Sequence, residues 1–214
     1  MTTQLSLYNG ALRLCKERKL ASLSENREPR RLLDDAWGAG ATGGAVKACL
    51  QAGQWTFATR TSQADATPSV EPSFGYRYAF NQPEDMVRVT GVAMDQYFTE
   101  PLLQYTDERG YWYCDLPTIY VRYVSNDTSY GGDMSLWPES FVKVVEAYLA
   151  REVGPNLMQG SRVFEELNAV YEKFLKEAKS VDAMNSPTKF APAGSWVRAR
   201  SGNPNRSRWN GQFN

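Results

Sequence analysis

The sequence predicts an α+β protein: an antiparallel helical bundle, an inserted antiparallel β-sandwich or barrel, and an extended C-terminal arm. Three observations carry that expectation. First, the apolar period changes in the middle of the N-terminal half. Val46, Cys49, Leu50 and Gly53 recur at helical spacing, and then Trp55 and Phe57 alternate with Gln54, Thr56 and Ala58. Second, short alternating segments follow to about Ser125 with no helical pattern between them, which favours an antiparallel over a parallel sheet. Third, helical spacing returns at Phe141, Val144, Val145, Tyr148 and Leu149, and no period survives beyond Asn185. The implied boundaries are 1–54 and 136–185 for the two parts of the bundle, 55–135 for the β insert, and 186–214 for the arm. Two-helix units are marginal, so both helical parts should share one body.

Taken in order, residues 4–19 read as a first helix, with Leu5, Tyr8, Leu12 and Cys15 on one face and Lys16, Arg18 and Lys19 in its last turn. Pro29 suits a first helical position, where its missing N–H is of no consequence. Leu33 and Trp37 begin an apolar stripe, but Gly38, Gly40, Gly43 and Gly44 should break that second helix in two. Gly53 reads as a left-handed cap and Trp55 as the start of a strand. Phe74, Tyr76, Tyr78 and Phe80 alternate, as do Ile119, Val121 and Tyr123; Met86 to Met94 is a further strand. Turns fall at Asn81–Asp85 and Asp107–Gly110, with Tyr111, Trp112 and Tyr113 following the second. Pro138 opens a third helix that Gly154 and Pro155 should end. A fourth buries Val163, Leu167, Val170, Phe174 and Leu175, with a Glu172–Lys176 pair outside.

Length and composition permit one packed domain, or one with a sizeable insertion: 214 residues, 42% hydrophobic and 13% aromatic. The formal charge is zero but uneven, because no carboxylate lies beyond Asp182 whereas Lys189 and four arginines do. Such a tail is either a solvated extension or an arm that meets an acidic surface. Its aromatics favour the arm: Phe190, Trp196, Trp209 and Phe213 would anchor it. Arg198, Arg200, Arg206 and Arg208 would supply its charge contacts to a portal or a neighbouring subunit. The N-terminus has neither a basic stretch nor a long apolar run, so no signal peptide or membrane anchor is expected. Cys15, Cys49 and Cys114 are odd in number and far apart, which suggests reduced thiols.

The absence of histidine removes Ser-His-Asp and Cys-His catalysis and the commonest metal ligand. No Cys-x-x-Cys spacing suggests zinc, and Gly38–Gly44 lacks the Lys-Ser/Thr ending of a phosphate loop. No catalytic residue, metal or cofactor is therefore expected. Asp107, Glu108 and Asp115 flank three aromatics, as they would in a polysaccharide-binding or -cleaving cleft, but the same residues make an ordinary strand turn. A neutral body argues against nucleic-acid binding as the main role, although the arm could stack on bases and pair with phosphates.

Four stretches taken together resemble the tail tubular protein A family, the head-to-tail adaptors of short-tailed bacteriophages. They are Gly53-Gln-Trp-Thr-Phe-Ala58, Gln82-Pro-Glu-Asp-Met-Val-Arg-Val89, Asp115-Leu-Pro-Thr-Ile-Tyr-Val-Arg-Tyr123 and Trp137-Pro138. The resemblance spans roughly residues 4 to 180 in order. It implies a helical bundle with an inserted β domain, assembled as a dodecameric ring under the portal protein. It also implies a tail nozzle protein (tail tubular protein B-like) and a tail fibre or tailspike below, with genomic DNA passing through the bore without specific binding. The location implied is the virion tail, after assembly in the host cytoplasm. The glycine-rich stretch at 38 to 44 departs from the continuous second helix of the family.

Overall fold

The computed structural model describes residues 2–38, 44–67, 70, 72, 75–158, 160 and 162–185. The fold is α+β, as the sequence predicts. Helix α1 (Gln4–Leu14) starts with a reciprocal cap: Ser6 N–H donates to Thr3 Oγ1 at 3.2 Å and Thr3 N–H donates to Ser6 Oγ at 3.0 Å. It stops at Leu14 rather than running to residue 19, because Lys16 turns left-handed (φ 58°) and the chain folds back to bury Leu20. Asn9 pins that return by bonding both the N–H and the C=O of Leu20. Arg18 and Lys19 therefore lie on a connection rather than in a last helical turn, and Arg27 donates to both their carbonyls.

Helix α2 (Glu28–Trp37) has Pro29 in its first turn and buries Leu33 and Trp37. Gly38 closes it with φ 69°, and α3 (Gly44–Gln51) buries Ala45, Val46, Cys49 and Leu50. The expected interruption between the two is thus present. Two expectations beyond it fail. Gly53 is not left-handed; it is needed because a Cβ there would stand 2.7 Å from the Trp55 ring. Trp55 does not begin a strand either, since Thr56–Ala58 form a 3-10 turn before β1 (Thr59–Asp65). Burial of the Trp55 indole, whose Nε1 donates to Cys49 O at 3.0 Å, outweighs the local alternation.

The remaining strands are β2 (Tyr78–Asn81), β3 (Met86–Ala93), β4 (Thr106–Glu108), β5 (Tyr111–Cys114) and β6 (Thr118–Ser125). Among the described residues they form two three-stranded antiparallel sheets, ordered β1-β6-β3 and β2-β5-β4. Tyr76 precedes β2, and Phe74 lies outside the described residues. Asp107 and Glu108 belong to β4; the turn itself is Arg109-Gly110, both with positive φ, which suits a two-residue hairpin. The inner faces of the two sheets share one core. Phe80, Trp112 and Cys114 of one sheet meet Val92, Ile119, Val121 and Tyr123 of the other.

Helix α4 (Glu139–Leu157) follows Pro138, and α5 (Val163–Asn185) returns along it. Helices α1, α2, α3 and α5 all pack on α4 around a second core, which reunites residues far apart in sequence. Gly154 and Pro155 do not end α4. Pro155 sits in the final turn, where it forfeits only its own N–H bond, and Gly154 lies flush against Leu167, which a Cβ would strike. The Glu172–Lys176 pair does not form; Glu172 accepts instead from Asn168 at 2.8 Å. Strand β6 joins the two cores: Ile119, Val121 and Tyr123 face the core shared by the two sheets, and Val124 enters the core shared by the helices.

Candidate interaction surface

Phe190, Trp196, Arg198, Arg200, Arg206, Arg208, Trp209 and Phe213, the arm residues singled out from the sequence, lie outside the described residues. The root of the arm is described. One turn before the end of α5, the buried Asp182 carboxylate accepts from Thr56 N–H at 3.1 Å and Thr56 Oγ1 at 2.7 Å. That contact fixes the end of α5 at the crossing into β1. Helix α5 therefore ends near the start of β1, beside a shallow groove lined by Gly53, Gln54, Arg88 and Lys179.

The three acids that suggested a sugar cleft are not brought together. Asp107 and Glu108 are exposed on β4, opposite Trp112 and Tyr111. Asp115 follows the far end of β5, three residues beyond Trp112 and so on the order of 10 Å along the strand. Asp107 accepts from Gln82 Nε2 at 2.7 Å, and Asp115 from Arg77 N–H at 3.1 Å. Among the described residues no cluster of three or more His, Cys, Asp or Glu could hold a metal ion. The three thiols are free and buried, as the sequence suggests. Burial, and then the charge of Glu17, push the Cys15 thiol up to about 11, and burial raises Cys49 as well.

At the base of the insert, four aromatic rings form a seam between helices and sheet. Trp55 stands edge-on to Phe141 at 4.9 Å between centroids, Phe57 lies 4.9 Å from the same ring, and Trp137 meets it at 5.1 Å. The Trp137 indole donates to Gly131 O at 2.9 Å. Beside this seam Asp85, just before β3, collects three donors from β1 and β6. Ser125 Oγ donates to it, Arg60 Nη1 does so at 3.0 Å, and the Tyr123 hydroxyl at 3.3 Å. Burial opposes its ionisation, but the bonds from Ser125 and Arg60 and the Arg60 charge together outweigh it, so the carboxyl stays below its ordinary range. Arg60 also lies over the Tyr130 ring at 5.3 Å.

The opposite, distal end of the insert carries a groove of about 350 Å³ lined by Met94, Pro101, Leu102, Leu103, Gln104, Asp115 and Leu116. Its rim loop is built rather than loose. Met94 N–H donates to Glu100 O, Leu102 N–H to Val92 O, and Arg122 stacks on Phe98 at 4.2 Å. Asp95 accepts from Thr99 Oγ1 and from the N–H groups of Glu100 and Thr99, which hold its carboxyl at about 2. Yet Leu103 is 84% and Tyr97 77% exposed, high values for large apolar side chains.

No protein-family model matches the chain, and no curated protein matches it. Sequence reasoning missed the groove, Asp85 and Asp182. Asp85 reads as a turn residue and Asp182 only as the last carboxylate of the chain; their partners, distant in sequence, give them roles. The signal for the groove was the Pro101-Leu102-Leu103 run, which fits neither a helical nor a strand period.

Proposed function

We propose that this chain is a structural virion protein, a head-to-tail adaptor of a short-tailed bacteriophage. Copies of it form a ring, a dodecamer by the resemblance, beneath the portal protein. The ring carries the tail nozzle and fibres below and lets genomic DNA pass through its bore without specific binding. The protein works in the virion tail, having assembled in the host cytoplasm, and its role is to join surfaces rather than to catalyse.

The observation that carries this reading is the seam. Stretches that bear the resemblance, distant in sequence, meet there: Trp55 and Phe57 from the first and Trp137 from the last converge on Phe141. Asp85 of the second bonds Tyr123 of the third close by. An adaptor must pass load between a body that grips the portal and an insert that grips the tail. A close-packed aromatic joint with few alternative packings suits that task. Electron microscopy of the full-length protein mixed with isolated portal rings tests the reading. A second ring stacked coaxially on the portal is expected; a chain that stays unattached and monomeric would overturn it.

A further inference from the structure

We propose that the distal groove of the β insert receives the C-terminal segment, residues 186–214, of a neighbouring copy of this chain. The inference rests on reading that segment as a docking arm and names the surface that takes it.

The first argument is chemical fit. The groove is apolar along Met94, Leu102, Leu103 and Leu116, with Asp115 in its wall. Glu100 and the ionised Asp95 stand on its rim loop. Residues 55–135 as a whole hold eleven carboxylates against five cations. Residues 186–214 hold five cations and no carboxylate, interleaved with Phe190, Trp196, Trp209 and Phe213. An aromatic anchor in an apolar slot, flanked by arginines that meet carboxylates, is the composition of an interface centre. The rim loop is already fixed by its own hydrogen bonds, so little ordering cost falls on the receiving side.

The second argument is reach. The arm starts where Asp182 ties α5 to Thr56, at the base of the insert. The groove lies at the other end of the sheet, where Ala93 pairs with both Tyr120 and Pro101. Strand β1 spans that distance in seven residues, roughly 20 Å. The segment after Asn185 has twenty-nine residues and extends to on the order of 95 Å, ample to reach an adjacent copy. Donor and acceptor are different parts of one chain. Passed from each copy to the next, their pairing is head-to-tail, an arrangement that forms a ring where the rotation between copies closes.

The test uses the full chain with photoreactive benzoylphenylalanine in place of Leu103, whose exposure keeps the change out of the core. This chain is mixed with isotope-labelled, unmodified full-length chain and with portal rings, illuminated, and the crosslinked peptides are mapped by mass spectrometry. Crosslinks from position 103 to residues 186–214 of the labelled chain are expected. In a parallel full-length variant with Gln104 as the photoreactive position, Asp115→Lys should cut that yield by about tenfold, the scale of losing one central contact. Arg→Glu changes at the crosslinked arm position should restore part of it. Crosslinks to the portal, to the chain's own arm only, or to nothing would overturn the proposal. Sedimentation of the unmodified chain with portal rings scores the adaptor reading separately. A chain that binds portals without these crosslinks sinks the groove alone, and a chain that does not bind portals sinks the adaptor.

Discussion

Asp182 shows how much one buried carboxylate can fix. It lies on the solvated helix α5, yet it satisfies the N–H and hydroxyl of Thr56, which opens the 3-10 turn before β1. Replacing it by alanine removes the acceptor of both the Thr56 N–H and the Thr56 hydroxyl. Asp182→Ala should therefore cost about 2–3 kcal/mol in denaturant unfolding, and Asp182→Asn, which keeps one acceptor oxygen, distinctly less. The tryptophans make a second case. Trp55 and Trp112 are both fully buried, but the Trp55 indole donates to Cys49 O whereas Trp112 Nε1 has no partner among the described residues. Trp55→Phe removes a buried hydrogen bond, although Cys49 O keeps its bond from Ala52 N–H, and Trp112→Phe removes an unsatisfied donor. The first should be the more destabilising by about 1 kcal/mol; equal losses in urea titrations would contradict the hydrogen-bond argument.

At the scale of elements, the β insert is held to its base by the Asp85 cluster, which gathers β1, β3 and β6. Its carboxyl is depressed in the folded protein by Ser125 and Arg60 against the opposing effect of burial. A depressed carboxyl adds stability that is fully present above its unfolded value, near 3.9, and is lost as pH falls through the lower folded value. Unfolding free energy measured against pH should therefore fall on acidification below about 4, and less steeply in Asp85→Asn. Parallel curves for the two proteins would remove Asp85 from the account. Helix α4 shows a different balance. Pro155 in its last turn gives up one backbone donor, but Gly154 lets α5 approach closely enough for Leu167 to pack on the backbone. Contact between the helices outweighs the local tendency to stop.

Across the whole molecule the zero net charge conceals an acidic β insert and a basic C-terminal segment. A protein of this pattern can bind copies of itself without holding tightly to DNA, whose retention needs many cationic phosphate contacts. Both described cores are built from residues up to Ala178. Truncation after Asn185 should leave a soluble body whose thermal midpoint moves by less than about 3 °C. The same truncation should strongly weaken attachment to portal-containing heads, measured by co-sedimentation. Full attachment by the truncated chain would mean that the segment is only a solvated tail.

The order of elements, the broken second helix, the antiparallel strands and the amphipathic faces of α4 and α5 are all legible in the sequence, because periodicity and glycine placement are local properties. Phe141, Val144, Val145 and Leu149 are buried where their spacing puts them. The α1 end, the Trp55 turn and the passage of α4 through Pro155 were decided only by the fold. In each, contact between distant residues overrides a local preference: Leu20 returns to the core, the Trp55 indole folds back onto α3, and Gly154 receives Leu167. The candidate surface divides in the same way. The aromatic and basic content of the arm is written in the chain, whereas the distal groove is made by Met94, Leu102 and Leu116 from three separate segments. No local pattern could announce it, because its walls become neighbours only when β3 and β6 pair and the two sheets close on each other.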